Sequence, residues 1–308
     1  MSPRFTPEQI DAWRRDGGVL VEAFFTPEEV AAVQADFGRV FGDAAGADQP
    51  LVKTADGQGG AFHAAQFRNL DSIPFDGCHA LNLIGLHPAL IAFARAALGV
   101  EEVYLYQCQA WAKYTGAADY DQPFHCDYLN HTLVAPSEDT TRNTCTVMCY
   151  FSDVTEGHGP MHYVPRPLSE PIAPPEATIG GPPEVAELHR RLAPHARSTA
   201  GPAGSIFPYS IDLYHRGTNL TAPGGVRYAV TACFKRAGDD SIAFTAWPFH
   251  HMKPWGQLFA RATADQLACL GVPRPGDPFW TETTLARAQR RYPDWDLAPY
   301  RAALLASA

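Results

Sequence analysis

The chain has no surplus of basic residues. Lysine and arginine number 24 against 33 aspartates and glutamates, for a formal net charge of -9 at pH 7. Proteins that grip nucleic acid do so with a positive surplus that displaces counterions. Nucleic acid is therefore not expected as a partner. The sequence shows no uninterrupted apolar run near the ~20 residues of a membrane span, so no membrane partner is expected. The N-terminus, MSPRFTPEQIDAWRRDGG, carries charges where a signal peptide would place its apolar stretch. The expected location is the cytoplasm.

There is also no C-x-x-C pair among the seven cysteines, Cys78, Cys108, Cys126, Cys145, Cys149, Cys233 and Cys269. Their number is odd, several sit in apolar runs such as TCTVMCYF and VTACF, and zinc-cluster spacing is missing. They read as reduced core thiols, which suits a reducing compartment. No internal repeat and no low-complexity linker divides the 308 residues, so the whole chain reads as one domain.

What is present falls into three stretches. Residues 1–100 are largely helical. Thr6-Pro7-Glu8 and Thr26-Pro27-Glu28 are helix starts, and Gly17-Gly18 is a stop. Between them, GVLVEAFF reads as a short strand. HPALIAFARAALG at 87–99 is a further helix, with Pro88 at its start and Gly99 at its end. From 102 to about 250 the signal is β. VYLYQCQAWAKY, FHCDYL, NTCTVMCYF, GSIFPYS and VRYAVTACF are rich in aromatic and β-branched residues. A short helix is expected near 184–192 within the long connection. From 254 to 308 the pattern returns to helix and loop. The expected class is mainly β with flanking helices around a sandwich or small barrel.

Within the β region, FHCDY at 124–128 sets His125 and Asp127 one residue apart. On a strand, both would point to the same face. His215 in LYHRGTN, ninety residues on, supplies a third ligand. Two histidines and a carboxylate leave three positions open on an octahedral metal, the arrangement of non-haem Fe(II) oxygenases. The open positions admit a chelating cosubstrate, 2-oxoglutarate, and O2. The far carboxylate of 2-oxoglutarate needs a cation, and arginine matches it with two parallel hydrogen bonds. Arg227 lies twelve residues after His215, past the turn TAPGG. An antiparallel strand returning from that turn is expected to bring it back beside the metal strand.

Over most of its length the chain resembles the phytanoyl-CoA dioxygenase family of Fe(II)/2-oxoglutarate oxygenases, including relatives such as ectoine hydroxylase. The resemblance runs through FTPEQI with GGVLVEAFF, H-x-D at 125–127, VTEGHGPMHYVP at 154–165 and HRGTN at 215–219. It continues through Arg227 to the ending PGDPFWTETTLARAQRRYPDWDLAPYR. It implies a double-stranded β-helix, a jelly-roll or cupin-like core. It implies His125, Asp127 and His215 as catalytic iron ligands and Arg227 as the anchor for 2-oxoglutarate. Gln107 matches a glutamine that lines the site in the ectoine hydroxylase branch. Either Thr144 or Thr146 stands where relatives place a hydroxyl near 2-oxoglutarate. The chain departs from many relatives at VPRPLSEP, where they carry a P-G-S-H element, so the loop over the substrate differs locally. Relatives that chlorinate replace the metal-binding carboxylate with a small residue. Asp127 is retained here, which implies oxygenation.

The remaining candidates concern a small-molecule substrate. Trp111, Tyr128, Trp247 and Phe249 are candidate pocket residues, each equally suited to core packing. His250 and His251 could touch substrate or lie on a loop. Lys113 and Arg68 are candidate cations near the site, with solvated charges as the plainer reading. Arg216 is expected to point away from the ligand face. HGPMH at 158–162 has the spacing of a zinc pair, but Gly159-Pro160 forbids the helix that would bring its histidines together. Two rival functions use the same barrel: a cupin-like binding protein, and a metal-dependent isomerase or hydrolase. A plain binding barrel has no need of a buried cation twelve residues after a metal ligand.

Overall fold

Thr6 opens the first helix because its hydroxyl accepts from the Gln9 amide while the Gln9 side chain reaches back to the Thr6 N–H. Gly17 closes it in the left-handed region at φ 81°. The computed structural model describes residues 4–41, 67–114, 121–131, 137, 139–178, 181–239 and 253–306. Its N-terminal helices are α1 (Pro7–Asp16), α2 (Pro27–Phe41), α3 (His79–Ile84) and α4 (Pro88–Leu98). GVLVEAFF does not form the expected strand. Only Gly18 and Val21 make isolated bridges, to Tyr209 and Ile206. Ala23 then takes φ 51°, which turns the chain out of register, and Phe24 and Phe25 are both buried in the core.

Residues 79–98 reach the length and apolarity of a membrane span, contrary to the sequence expectation. The segment is two helices broken at 85–87, and Leu81, Leu90 and Phe93 are fully buried in the main core. Its apolar residues serve packing within the fold.

The β region forms two antiparallel sheets. The strands are β1 (Phe67–Ser72), β2 (Val103–Tyr114), β3 (Thr144–Tyr150), β4 (Met161–Tyr163), β5 (Arg197–Ser198), β6 (Ile206–Tyr209), β7 (His215–Gly217) and β8 (Val226–Arg236). The larger sheet has the order β1-β2-β8-β3-β6, the smaller β5-β4-β7. Helices flank this jelly-roll core. Its members include α5 (Tyr128–His131), α6 (Arg166–Ser169) and α7 (Pro182–Leu192), the last being the helix expected near 184–192. Beyond the strands follow α8 (Trp255–Phe259), α9 (Ala264–Ala268), α10 (Glu282–Arg291) and α11 (Ala298–Ala306). Trp280, Trp295 and Tyr300 pack edge to face and hold the last two against the core.

Two strand expectations need correction. FHCDYL is not a strand: only His125 forms a bridge, and the chain enters the helical turn α5 at Tyr128. Nor do β7 and β8 form a hairpin. They belong to different sheets, so Arg227 and His215 approach each other from opposite walls.

Candidate metal centre

His125 and His215 lie directly opposite each other. Each N–H donates to the other's carbonyl at 2.9 Å, and the imidazole centroids are 4.6 Å apart. This reciprocal pair fixes the separation of two side chains ninety positions apart in the chain. Each ring also has its outer nitrogen committed. Nδ1 of His125 donates to the Pro123 carbonyl and Nδ1 of His215 to that of Leu213, both at 3.0 Å. A carbonyl only accepts, so Nδ1 carries a proton in both rings, and in the neutral imidazole the lone pair then lies on Nε2.

Both Nε2 atoms face Asp127. His125 Nε2 is 3.7 Å from Oδ1 and His215 Nε2 is 3.4 Å from Oδ2. All three ligand atoms fall within 4.8 Å of one another. Adjacent ligands on a divalent metal, each about 2.1 Å from it, lie about 3 Å apart. The donor set of two neutral nitrogens and one carboxylate therefore fits an iron ion after a small inward movement. Among the described residues this is the one such convergence of His, Cys, Asp or Glu side chains. Burial opposes ionisation of Asp127, but the neighbouring His215 and His125 outweigh it and hold the carboxyl well below its usual range. Burial, reinforced by His215, holds the His125 imidazole below its usual value.

The triad forms part of the wall of a cavity of about 400 Å³ that lies between the sheets. The larger sheet supplies the opposite wall in layers. Gln107, Cys233, Thr146 and Tyr209 are paired in register across β2, β8, β3 and β6. The next layer is Gln109, Thr231 and Met148; then come Trp111, Ala229 and Tyr150, and last Lys113 and Arg227, directly opposite each other; of these last two layers Trp111 and Arg227 line the cavity and the others do not. Period-two alternation brings each strand's contributions to one face.

Arg227 lines the cavity and is 7% exposed, and its guanidinium donates to the Gly159 carbonyl. Lys113 is fully buried and donates to the Thr218 carbonyl. Burial, with Arg227 beside it, lowers the Lys113 ammonium to about 6, against a weaker opposing pull from Asp121. Gln107 lines the cavity, and its side-chain oxygen faces the Cys233 thiol at 3.6 Å. Of the two threonines, Thr146 lines the cavity and Thr144 does not. The Thr146 hydroxyl is buried with no hydrogen bond of ordinary geometry, although it lies close enough to Tyr106 and Cys233 to favour their ionised forms. A buried hydroxyl beside the triad fits an oxygen-rich ligand.

Trp111 lines the cavity as a pocket residue should. Tyr128 does not. It is 2% exposed and packs with Phe124, Val164 and Leu188 in a separate apolar cluster, because the helical turn at 128 swings it behind the ligands. Trp247, Phe249, His250 and His251 lie outside the described residues, as does the side chain of Arg68. Arg216 turns away from the cavity, with its guanidinium 3.6 Å from Asp121 and over the Phe124 ring. His158 and His162 do not converge: the first bonds Thr155 and the second Glu156.

Two residues of the site carry no sequence signal. Tyr209 donates to Asp127 Oδ2 at 3.1 Å, and His131 lines the cavity with its Nδ1 2.6 Å from the Tyr106 hydroxyl. Neither stands in a motif, and Tyr209 reaches Asp127 across 82 positions of chain.

The fold has solved counterparts. The epimerase SnoN from nogalamycin biosynthesis, in complex with Fe3+, alpha-ketoglutarate and nogalamycin RO, is 19% identical, with a TM-score of 0.55 over 79% of this chain and 90% of that one. The alpha-ketoglutarate-dependent carbocyclase SnoK, also from nogalamycin biosynthesis, is 16% identical, with a TM-score of 0.53 over 76% and 85%. EctD from S. alaskensis, with 2-oxoglutarate and 5-hydroxyectoine, is 17% identical, with a TM-score of 0.50 over 76% and 77%. At these identities the likeness is one of fold. No curated protein matches the chain by sequence. The family profile of phytanoyl-CoA dioxygenase (PhyH) matches residues 13–221, a span that contains His125, Asp127 and His215 and stops six residues short of Arg227. The chain belongs to the phytanoyl-CoA dioxygenase family and is, by class, a 2-oxoglutarate-dependent oxygenase.

Proposed function

We propose that the chain works as a single cytoplasmic domain that uses Fe(II), 2-oxoglutarate and O2 to hydroxylate, or otherwise oxidise, a C–H bond of a small-molecule metabolite. Succinate and CO2 are the co-products. The observation that carries this reading is the approach of His125 Nε2, His215 Nε2 and the Asp127 carboxylate to one another on a cavity wall, with Arg227 on the wall opposite.

His125, Asp127 and His215 would hold the iron. Coupled to the oxidative decarboxylation of 2-oxoglutarate, iron supplies an oxidant strong enough for an unactivated C–H bond. The chain's own residues do the rest. Arg227 takes the distal carboxylate of 2-oxoglutarate with its two-pronged guanidinium. Thr146 offers its buried hydroxyl to the same cosubstrate, and Gln107 its amide. Trp111 and Met148 give the substrate an apolar face, and Gln109 gives it a neutral hydrogen-bonding group. Retention of Asp127 favours oxygen transfer over halide transfer, because its carboxylate fills the position a halide would take and repels a second anion.

Hydroxylation is the reading preferred. EctD, solved with 5-hydroxyectoine, matches it in type, whereas SnoN is an epimerase and SnoK a carbocyclase. Ring closure and desaturation differ from hydroxylation only in the fate of the substrate radical.

Adding 2-oxoglutarate to the Fe(II)-loaded protein without oxygen should produce the weak visible charge-transfer band of the chelate. A panel of candidate metabolites should then contain one that stimulates succinate release. Absence of the band from folded, iron-loaded protein would favour the binding-protein or hydrolase readings.

A further inference from the structure

A carboxylate can give a metal one oxygen or two, and the difference decides how many positions stay open. In this site both oxygens of Asp127 are turned toward the histidines, Oδ1 toward His125 and Oδ2 toward His215. Nothing in the triad itself chooses between them. The choice comes from the larger sheet. Tyr209, the last residue of β6, is 3% exposed and donates its hydroxyl to Asp127 Oδ2 at 3.1 Å. Its ring lies 4.9 Å from that of His215, inclined at 56°. Its backbone is held on both sides, paired with Thr146 of β3 and bridged to Gly18 of the N-terminal segment. Tyr209 therefore touches one ligand by hydrogen bond and a second by ring contact, from a position fixed by two neighbouring strands of chain.

We propose that Tyr209 is a positioning residue that makes Asp127 a one-oxygen ligand. The inference rests on the iron reading above. The phenol occupies a lone pair of Oδ2 and fixes the carboxylate plane, so Oδ1 is the oxygen presented to the metal. Three positions are then left for cosubstrate and O2. Without the phenol hydroxyl the carboxylate is free to turn, Oδ1 is no longer held toward the metal, and the triad grips the ion less tightly. A neutral donor suits this task, since a cation at the same place would neutralise the carboxylate and weaken its hold on the metal.

The test uses Ni(II) as a redox-inert probe, titrated against the full chain, with Tyr209→Phe and Asp127→Ala made singly and together. Phenylalanine keeps the ring against His215 and removes only the hydroxyl. Circular dichroism and thermal melting check that each variant is folded. Loss of an outer hydrogen bond to a metal ligand commonly costs about 10- to 100-fold in metal affinity, and that loss is expected for Tyr209→Phe. The two imidazoles left in Asp127→Ala still hold Ni(II), more weakly, and adding Tyr209→Phe there should cost less than about twofold if the tyrosine acts through the carboxylate. An equal loss in both backgrounds would mean that Tyr209 merely supports the His215 ring, and would overturn the proposal. So would unchanged affinity in the folded single variant beside a wild type that binds. A wild type that binds no Ni(II) overturns the metal reading itself, and this inference with it.

Discussion

The two sheets of the barrel hold their side chains by very different means. On one side, β2 and β8 pair from Val103 opposite Arg236 to Tyr114 opposite Val226, with β3 and β6 continuing the ladder. On the other, β4, β5 and β7 run for only two or three residues each. The proposed metal ligands sit on and beside the short strands. Arg227, Thr146 and Gln107 sit on the long ones. The histidines thus depend on one reciprocal bridge and two carbonyl contacts for their aim, whereas the cosubstrate residues inherit theirs from a continuous ladder. On the proposed reading the anion-binding end is set on the continuous ladder and the metal end on the short strands.

The sharpest break in that division is His215→Ala. It should reduce 2-oxoglutarate turnover to background while leaving the fold intact, because the long ladder does not depend on β7. Circular dichroism read together with a succinate assay decides it. Turnover at the wild-type rate in folded protein would remove His215 from the ligand set.

The opposite wall is probed by Arg227→Met. Losing one partner of a desolvated charge pair commonly costs about 2–5 kcal/mol, roughly 30- to several-thousand-fold in affinity. That loss should appear in 2-oxoglutarate binding, with Ni(II) affinity nearly unchanged. Equal losses in both would mean that the two ends are not independent.

Lys113 tests the energetic burden on the long sheet. Its folded-state value of about 6 lies below the ordinary 10.5, so between these limits the unfolded chain binds a proton that the folded one does not. Stability should then rise with pH over that window, by at most about 1.4 kcal/mol per pH unit, and be lost again as pH falls toward 6. Lys113→Met should flatten this dependence in denaturant melts of the metal-free protein. A wild type with the same profile as the variant would show that the lysine stays charged in the fold.

The smallest expected effect is none at all. Chloride added to the Fe(II)–2-oxoglutarate complex at constant ionic strength should give no saturable shift of its visible band, because Asp127 fills its position. A saturating shift, absent with a non-coordinating anion, would show that the metal end is looser than its hydrogen bonds suggest.

Legibility in the sequence follows the same divide. The long strands β2 and β8 could be read almost to their ends, since each is a sustained run whose burial alternates or is continuous. The helix caps at Thr6 and Gly99 were equally plain. The short side was misread. FHCDYL has strand composition, yet its backbone makes one bridge and turns, because Phe124 and Tyr128 are spent on packing and not on a ladder. GVLVEAFF failed as a strand for a similar reason, with Ala23 at positive φ. The triad was legible because its chemistry demands particular residue types at a recognisable interval. Tyr209 and His131 were not, since a hydroxyl or imidazole outside any motif leaves no spacing to find.

The reciprocal bridge between His125 and His215 also bears on how the protein is made. During synthesis the H-x-D pair leaves the ribosome ninety residues ahead of its third partner. At about 5–20 residues per second that is a lag of roughly 5–18 s. For that interval the nascent chain presents the H-x-D pair without the His215 imidazole that completes the proposed site. Tight capture waits until β7 has emerged and zipped against His125. Chains stalled before and after His215 should therefore differ sharply in Ni(II) retention, and equal retention would show that the early pair traps metal by itself. On the proposed reading, metal capture would then mark the closing of the barrel.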